Sequence, residues 1–112
     1  MSQLNALDKK TDTNTSICRI SCKDSLTGIE ANLIRTEIIN LIPDGYQTVF
    51  LDAKEVKHAD LSGINEIIYT ANLFAETTTE FIFIYRKESV VAKWVLTTGL
   101  DKFVKTAIVP AA

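Results

Sequence analysis

The run Thr48-Val49-Phe50-Leu51-Asp52 constrains the fold more than any other stretch of this chain. Its apolar residues follow one another without alternation, which reads as a strand buried on both faces. Phe81-Ile82-Phe83-Ile84-Tyr85 repeats the pattern, so the two should lie at the centre of one sheet. Eight residues after Asp52 comes Asp60-Leu61-Ser62-Gly63, the sharp start of a helix with a serine in its first turn. A hydroxyl there sits among unpaired backbone N–H groups at the positive end of a helix dipole. Such a place can hold a phosphate, on the serine itself or on a ligand.

The segments around these runs fall into order. Residues 3–9 and 16–22 read as two strands, with turn chemistry in Asp12-Thr13-Asn14 between them, which makes a hairpin. In the second strand Cys18, Ile20 and Cys22 share one face, while Ile17, Arg19 and Ser21 share a wetter one. Thr27-Gly28-Ile29-Glu30 matches a capping box, and Ala31, Ile34, Ile38 and Leu41 then form a helical stripe. Pro43-Asp44-Gly45 stops that helix. The helix after Ser62 carries Ile64, Ile67, Ile68, Ala71 and Phe74 on its buried face. Glu88 opens a third helix with Val91, Trp94 and Val95, capped by Gly99, and a last strand runs from Thr106 to Val109.

Strands joined by helices imply parallel neighbours and right-handed crossovers. The fold class expected is therefore α/β: a small mixed β-sheet with an N-terminal hairpin and parallel βαβ units, its helices mainly on one face. Residues 1–112 are expected to form one domain, since a chain of this length supports a single core.

Composition narrows the function. Apolar residues make up 46% and charged residues 23%, which argues against wholesale disorder. A net charge of −2 leaves no basic footprint for nucleic acid. Lys and Arg are scattered, and no apolar stretch reaches the ~20 residues that cross a bilayer, so membrane insertion is not expected. The first residues lack the pattern of a signal peptide, and the compartment expected is the cytoplasm. Cys18 and Cys22 lie too far apart along one strand (~13 Å) for a disulfide and read as buried strand residues.

Catalytic chemistry is missing. The four glycines are isolated, so no Gly-rich phosphate loop exists, and nothing calls for a cofactor. No Gly-x-Ser-x-Gly elbow is present, and one histidine, His58, in a polar segment read as a loop, offers little for a nucleophilic triad. A metal site is not expected either. Asp52 reads as the end of a strand and Asp60 as a helix cap. Asp52 also invites comparison with phosphate-accepting receiver domains. Ser21-Cys22-Lys23-Asp24 lacks the acidic pair they need. Ser62 remains, placed between a buried strand and an amphipathic helix at the carboxyl end of the sheet, where open α/β sheets bind partners.

With these residues in view the chain resembles the STAS family, the domain of anti-sigma factor antagonists, stressosome proteins and sulfate-transporter tails. The resemblance rests on Thr48 to Asp52, on Asp60-Leu61-Ser62-Gly63-Ile64, on Phe81-Ile82-Phe83-Ile84, and on Val95-Leu96-Thr97-Thr98-Gly99-Leu100. It covers about residues 45–103, with a looser match before them. Leu61 stands where the family usually has a serine, Asn65 where many members have a small residue, and the usual Gly before Phe81 is absent.

The resemblance implies that Ser62 is the phosphorylated residue and that the protein is a regulator, not an enzyme. The implied partner is an anti-sigma factor with serine kinase activity. The partner surface expected comprises Asp60, Leu61, Ser62 and Gly63, with Asn65 and Tyr69 from the outward face of the helix. Two other readings stand beside this one. The chain could be a non-switching STAS scaffold of a transport or stressosome-type complex, or a nucleotide-binding module using the same helix start.

Overall fold

The computed structural model of the chain describes residues 7–12 and 16–111. Five strands form one sheet in the order β1-β2-β3-β4-β5. β1 (Leu7–Asp12) pairs antiparallel with β2 (Ile17–Leu26). β3 (Thr48–Ala59), β4 (Glu80–Arg86) and β5 (Lys105–Val109) then add in parallel. Helices α1 (Gly28–Ile39), α2 (Leu61–Phe74) and α3 (Val90–Thr98) connect the parallel strands in turn. Each new strand lies beside the last, so right-handed crossovers all step the same way and deliver the three helices to one face. The α/β class, the parallel βαβ units and the one-sided helices are as the sequence predicts. The strand order never reverses, however, so the sheet has no switch-point crevice. Any partner at its carboxyl end meets a surface.

The core lies between the sheet and the helices. Register aligns Cys18 with Val49 and Phe81, and Ile20 with Leu51 and Phe83, in rows across the sheet. All six are buried, and the helices close over them with Ala31, Ile34, Ile38, Ile64, Ile67, Phe74, Val91 and Val95. Phe74 stacks on Phe81 with ring centroids 5.3 Å apart. Ile68 and Ala71, expected in the buried stripe of α2, are only partly buried, and Thr70 takes an inner position instead. Its hydroxyl is satisfied by the Glu66 carbonyl at 2.7 Å. Both cysteines are buried and unbridged, and burial, followed by the charges of Glu30 and Asp24, pushes the Cys22 thiol up to about 12.

Among the described residues no helix covers the other face of the sheet. There Phe50 and Ile82 are half-buried, not enclosed, and the Arg19 guanidinium lies over the Phe50 ring at 5.1 Å. An unbroken apolar run marks a central strand. In these two strands long side chains, not a second helical layer, screen the far face.

Several segment boundaries differ from those read in the sequence: α3 starts at Val90 after an N-cap at Ser89, not at Glu88, and β5 starts at Lys105, not Thr106. Residues 3–6, assigned to the first strand, and Thr13 and Asn14 of the expected turn lie outside the described residues, while Asp12, also assigned to that turn, is the last residue of β1. β2 continues past Cys22 to Leu26. β3 does not end at Asp52 but runs on through Ala59, so His58 is an exposed strand residue. The extension is polar because it is an edge of sorts: pairing with β4 stops at Asp52, and only β2 accompanies it further. It is also irregular. From Ser21 to Lys23 β2 advances two residues while β3 advances three, from Asp52 to Glu55, and a second extra residue falls between Val56 and His58. These two bulges erase the period-2 signal that a strand reading needs. The side lost by β4 is held by side chains: Arg86 Nε donates to the Lys54 carbonyl at 3.3 Å and Trp94 Nε1 to the Ala59 carbonyl at 3.2 Å.

Asp52 is thus a mid-strand carboxylate on the helix-free face. It is 3% exposed and accepts from Lys54 Nζ at 2.6 Å, from Arg19 Nη1 at 3.0 Å and from the Lys54 backbone N–H at 3.0 Å. Burial works to raise its pKa, but the hydrogen bonds and charge of Lys54, then the charge of Arg19, outweigh burial and hold it below the usual value.

Candidate functional site at the start of α2

The chain leaves β3 at Ala59 and turns into α2 at Asp60, an extended N-cap whose carboxylate accepts from the Gly63 N–H at 2.7 Å. Capping satisfies one of the orphan donors of the first turn. Ser62 is the second helical residue and is exposed, with Leu61 before it and buried Gly63 after it. Gly63 has a steric reason to be glycine. A Cβ there would lie 1.9 Å from the Leu26 carbonyl oxygen, so the first turn of α2 is pressed against the end of β2.

The expected site residues divide cleanly. Asp60, Leu61, Ser62 and Gly63 form the first turn, and Asn65 and Tyr69 continue its outward face at helical spacing, both exposed. Gly63 contributes packing and its N–H, not surface. Leu61 is 49% and Tyr69 50% exposed, so the face is apolar as well as accessible. Tyr69 is held in place, because the Arg35 guanidinium of α1 lies 4.7 Å from its ring centroid while Arg35 also pairs with Glu66 at 3.0 Å.

Reading the sequence missed the second helix of this surface. α1 and α2 run side by side in the same direction, with Gly28 against Ser62 at one end and Arg35 against Glu66 and Tyr69 two turns later. That places the starts of both helices together. Ile29, 77% exposed, and Leu33, 46% exposed, stand on the outer side of α1, one turn apart. A signal was present: both fall off the stripe of Ala31, Ile34 and Ile38, and two apolar residues at i and i+4 on a wet face call for a partner. The capping box also differs from its expected form. Thr27 is the N-cap, but its hydroxyl donates to the Glu30 carboxylate, which also takes a 3.5 Å hydrogen bond from Ser25. The Thr27 hydrogen bond is the chief cause that holds the Glu30 carboxyl below its usual pKa.

A groove of about 550 Å³ lies elsewhere, between β2 and β3 at the bulges, lined by Asp52, Lys54, Glu55 and Lys57 among others. Its one buried carboxylate, Asp52, is already paired with two cations. Among the described residues no group of acidic, histidine or cysteine side chains could hold a metal ion. No described helix is long and apolar enough to cross a membrane.

The sheet order and the one-sided helices coincide with a family match. Residues 8–109 match the STAS domain. The chain belongs to the STAS domain family. No curated protein matches the sequence. Among solved structures, a putative anti-sigma factor antagonist from Thermotoga maritima superposes with a TM-score of 0.75 at 18% identity, covering 91% of this chain and 86% of that one. An anti-sigma factor antagonist from Mycobacterium paratuberculosis gives 0.72 at 16% identity, covering 95% and 89%. The Bacillus cell fate determinant SpoIIAA in its phosphorylated form gives 0.66 at 18%, covering 91% of each chain. At these identities the likeness is one of fold, and this STAS chain shares it across nearly its whole length.

Proposed function

We propose that this STAS protein is an anti-sigma factor antagonist-like regulator whose docking surface is governed by phosphorylation of Ser62. It acts as ligand and substrate, not as an enzyme, within a single domain. Its partner is an anti-sigma factor with serine kinase activity, met in the cytoplasm. The observation that carries this reading is an exposed serine hydroxyl at a helix start, set among exposed apolar side chains on two adjoining helices.

Unmodified, the surface of Leu61, Ser62, Asn65 and Tyr69, extended by Ile29 and Leu33, docks on the partner and displaces the sigma factor. The kinase then transfers the terminal phosphoryl group of ATP to Ser62 Oγ. The hydroxyl proton leaves, the P–O bond to serine forms, and ADP departs. The product adds about −1.5 to −2 charges at the centre of the patch. The start of α2 tolerates that charge, because the helix dipole favours an anion there, so the fold survives. A closely packed interface does not, because the charge would be desolvated without a partner.

The test combines the protein with ATP and the candidate partner kinase, maps phosphate by mass, and measures partner affinity for three forms. Ser62→Ala should stay folded, bind constitutively and resist phosphorylation. Ser62→Asp should stay folded and bind more weakly, by up to about 2–5 kcal/mol where the introduced charge is buried at the interface. Equal affinity for wild type, Ala and Asp, with no phosphate on Ser62, refutes the switch and leaves a non-switching scaffold.

A further inference from the structure

Gly28 is the first residue of α1, a position where glycine is a poor helix former and where its backbone freedom is not used. The glycines with positive φ are Gly45 and Gly99, and Gly28 is not one of them. What Gly28 supplies is space. A Cβ built on it would lie 2.9 Å from Ser62 Cβ and 3.7 Å from Ser62 Oγ. The first distance is closer than carbon atoms approach one another, and Ser62 Cβ is fixed to the helix backbone, so it cannot swing aside. α2 cannot retreat either, because Gly63 is already wedged against the Leu26 carbonyl oxygen. The start of α2 is therefore gripped between the end of β2 and the start of α1, with glycine at both contacts.

We propose that Gly28 is a positioning residue for Ser62: its bare main chain holds the hydroxyl at the level of the surface and keeps the approach to Oγ open. A side chain at position 28 would stand beside Oγ on the α1 side and push the two helix starts apart. The inference concerns the same serine as the phosphorylation reading and rests on it for its biological meaning. Its physical content can be tested without any kinase.

The test uses Ser62→Cys in the full chain and a small aromatic disulfide, 5,5′-dithiobis(2-nitrobenzoate), as the probe. The introduced thiolate attacks the reagent, forming a mixed disulfide and releasing one coloured thiolate. The native thiols serve as silent controls, since Cys18 is 0% and Cys22 1% exposed and the Cys22 thiol is pushed up to about 12. Adding Gly28→Ala should slow labelling of the introduced thiol by about tenfold, with Gly28→Val slower still, because access of the reagent governs the rate at a helix-start thiol. Asn32→Ala, on the exposed side of α1, should leave the rate unchanged.

Equal rates for Gly, Ala and Val at position 28 in folded protein overturn the proposal. Should Gly28→Ala melt before labelling, pairing it with Ser62→Gly removes the atom that its methyl meets and should restore the melting temperature. No rescue also overturns it. A slowed thiol together with a wild-type serine that never receives phosphate leaves the positioning intact and sinks the switch, so the two failures are distinct.

Discussion

Asp52→Asn tests the reading of Asp52 as a structural charge, and its magnitude follows from the contacts. The carboxylate side chain is 2% exposed and sits between Lys54, at 2.6 Å, and Arg19, at 3.0 Å. Asparagine keeps the shape but presents an amide donor to two cations and loses the charge that both bind. Hydrogen bonds to charged groups contribute roughly 1.5–3 kcal/mol each. Here the cations are 42% and 38% exposed, so after substitution they turn to water and recover part of that. The cost should then be about 2–3 kcal/mol at neutral pH, below the ~3–5 kcal/mol of breaking a fully buried pair. At a domain of this size that corresponds to a fall in Tm of roughly 10 °C.

The same reasoning fixes a pH dependence. The pKa of Asp52 is lowered in the folded protein. Its contribution is therefore complete above the unfolded value, near 3.9, and is lost as pH falls through the lower folded value. Urea unfolding of wild type and Asp52→Asn at pH 7, 5, 4 and 3 should give a constant difference down to about pH 5 that shrinks below about pH 4. Other carboxylates titrate in both proteins and cancel in the difference. Equal stability at pH 7, or a difference that widens in acid, would refute the account of the buried ion pairs.

Other outcomes follow from the same packing. Ile67→Ala, at a position 1% exposed, should cost about 2–5 kcal/mol by denaturant unfolding. Leu96→Ser, at a position of α3 that is 86% exposed, should change stability by less than ~0.5 kcal/mol, and a loss as large as that expected for Ile67→Ala would mean that α3 is wrongly oriented. Asp60→Ala removes the hydrogen bond to the Gly63 N–H and should cost about 1 kcal/mol, whereas Asp60→Asn should retain most of the cap. An alanine variant as stable as wild type would remove Asp60 from the capping role.

The order and kind of the elements are legible in the chain itself. Two unbroken apolar runs required central strands, and the stripes of α1, α2 and α3 required helices, because burial acts on each residue at its own period. The helix start at Asp60 and the exposed serine after it are equally legible, since capping is settled within four residues. Packing settled what depends on neighbours distant in the chain. β3 continues through Lys54, Glu55, Lys57 and His58 because β2 runs beside it, and its two bulges hide that pairing from any period. Asp52 became a buried centre of charge only when Arg19 of the adjacent strand met it. Gly28 looked like part of a capping box, and only the packing of α1 against α2 brought it onto Ser62. Local signals fix local conformation, while close approach between segments more than thirty residues apart is set by the sheet and helices that carry them.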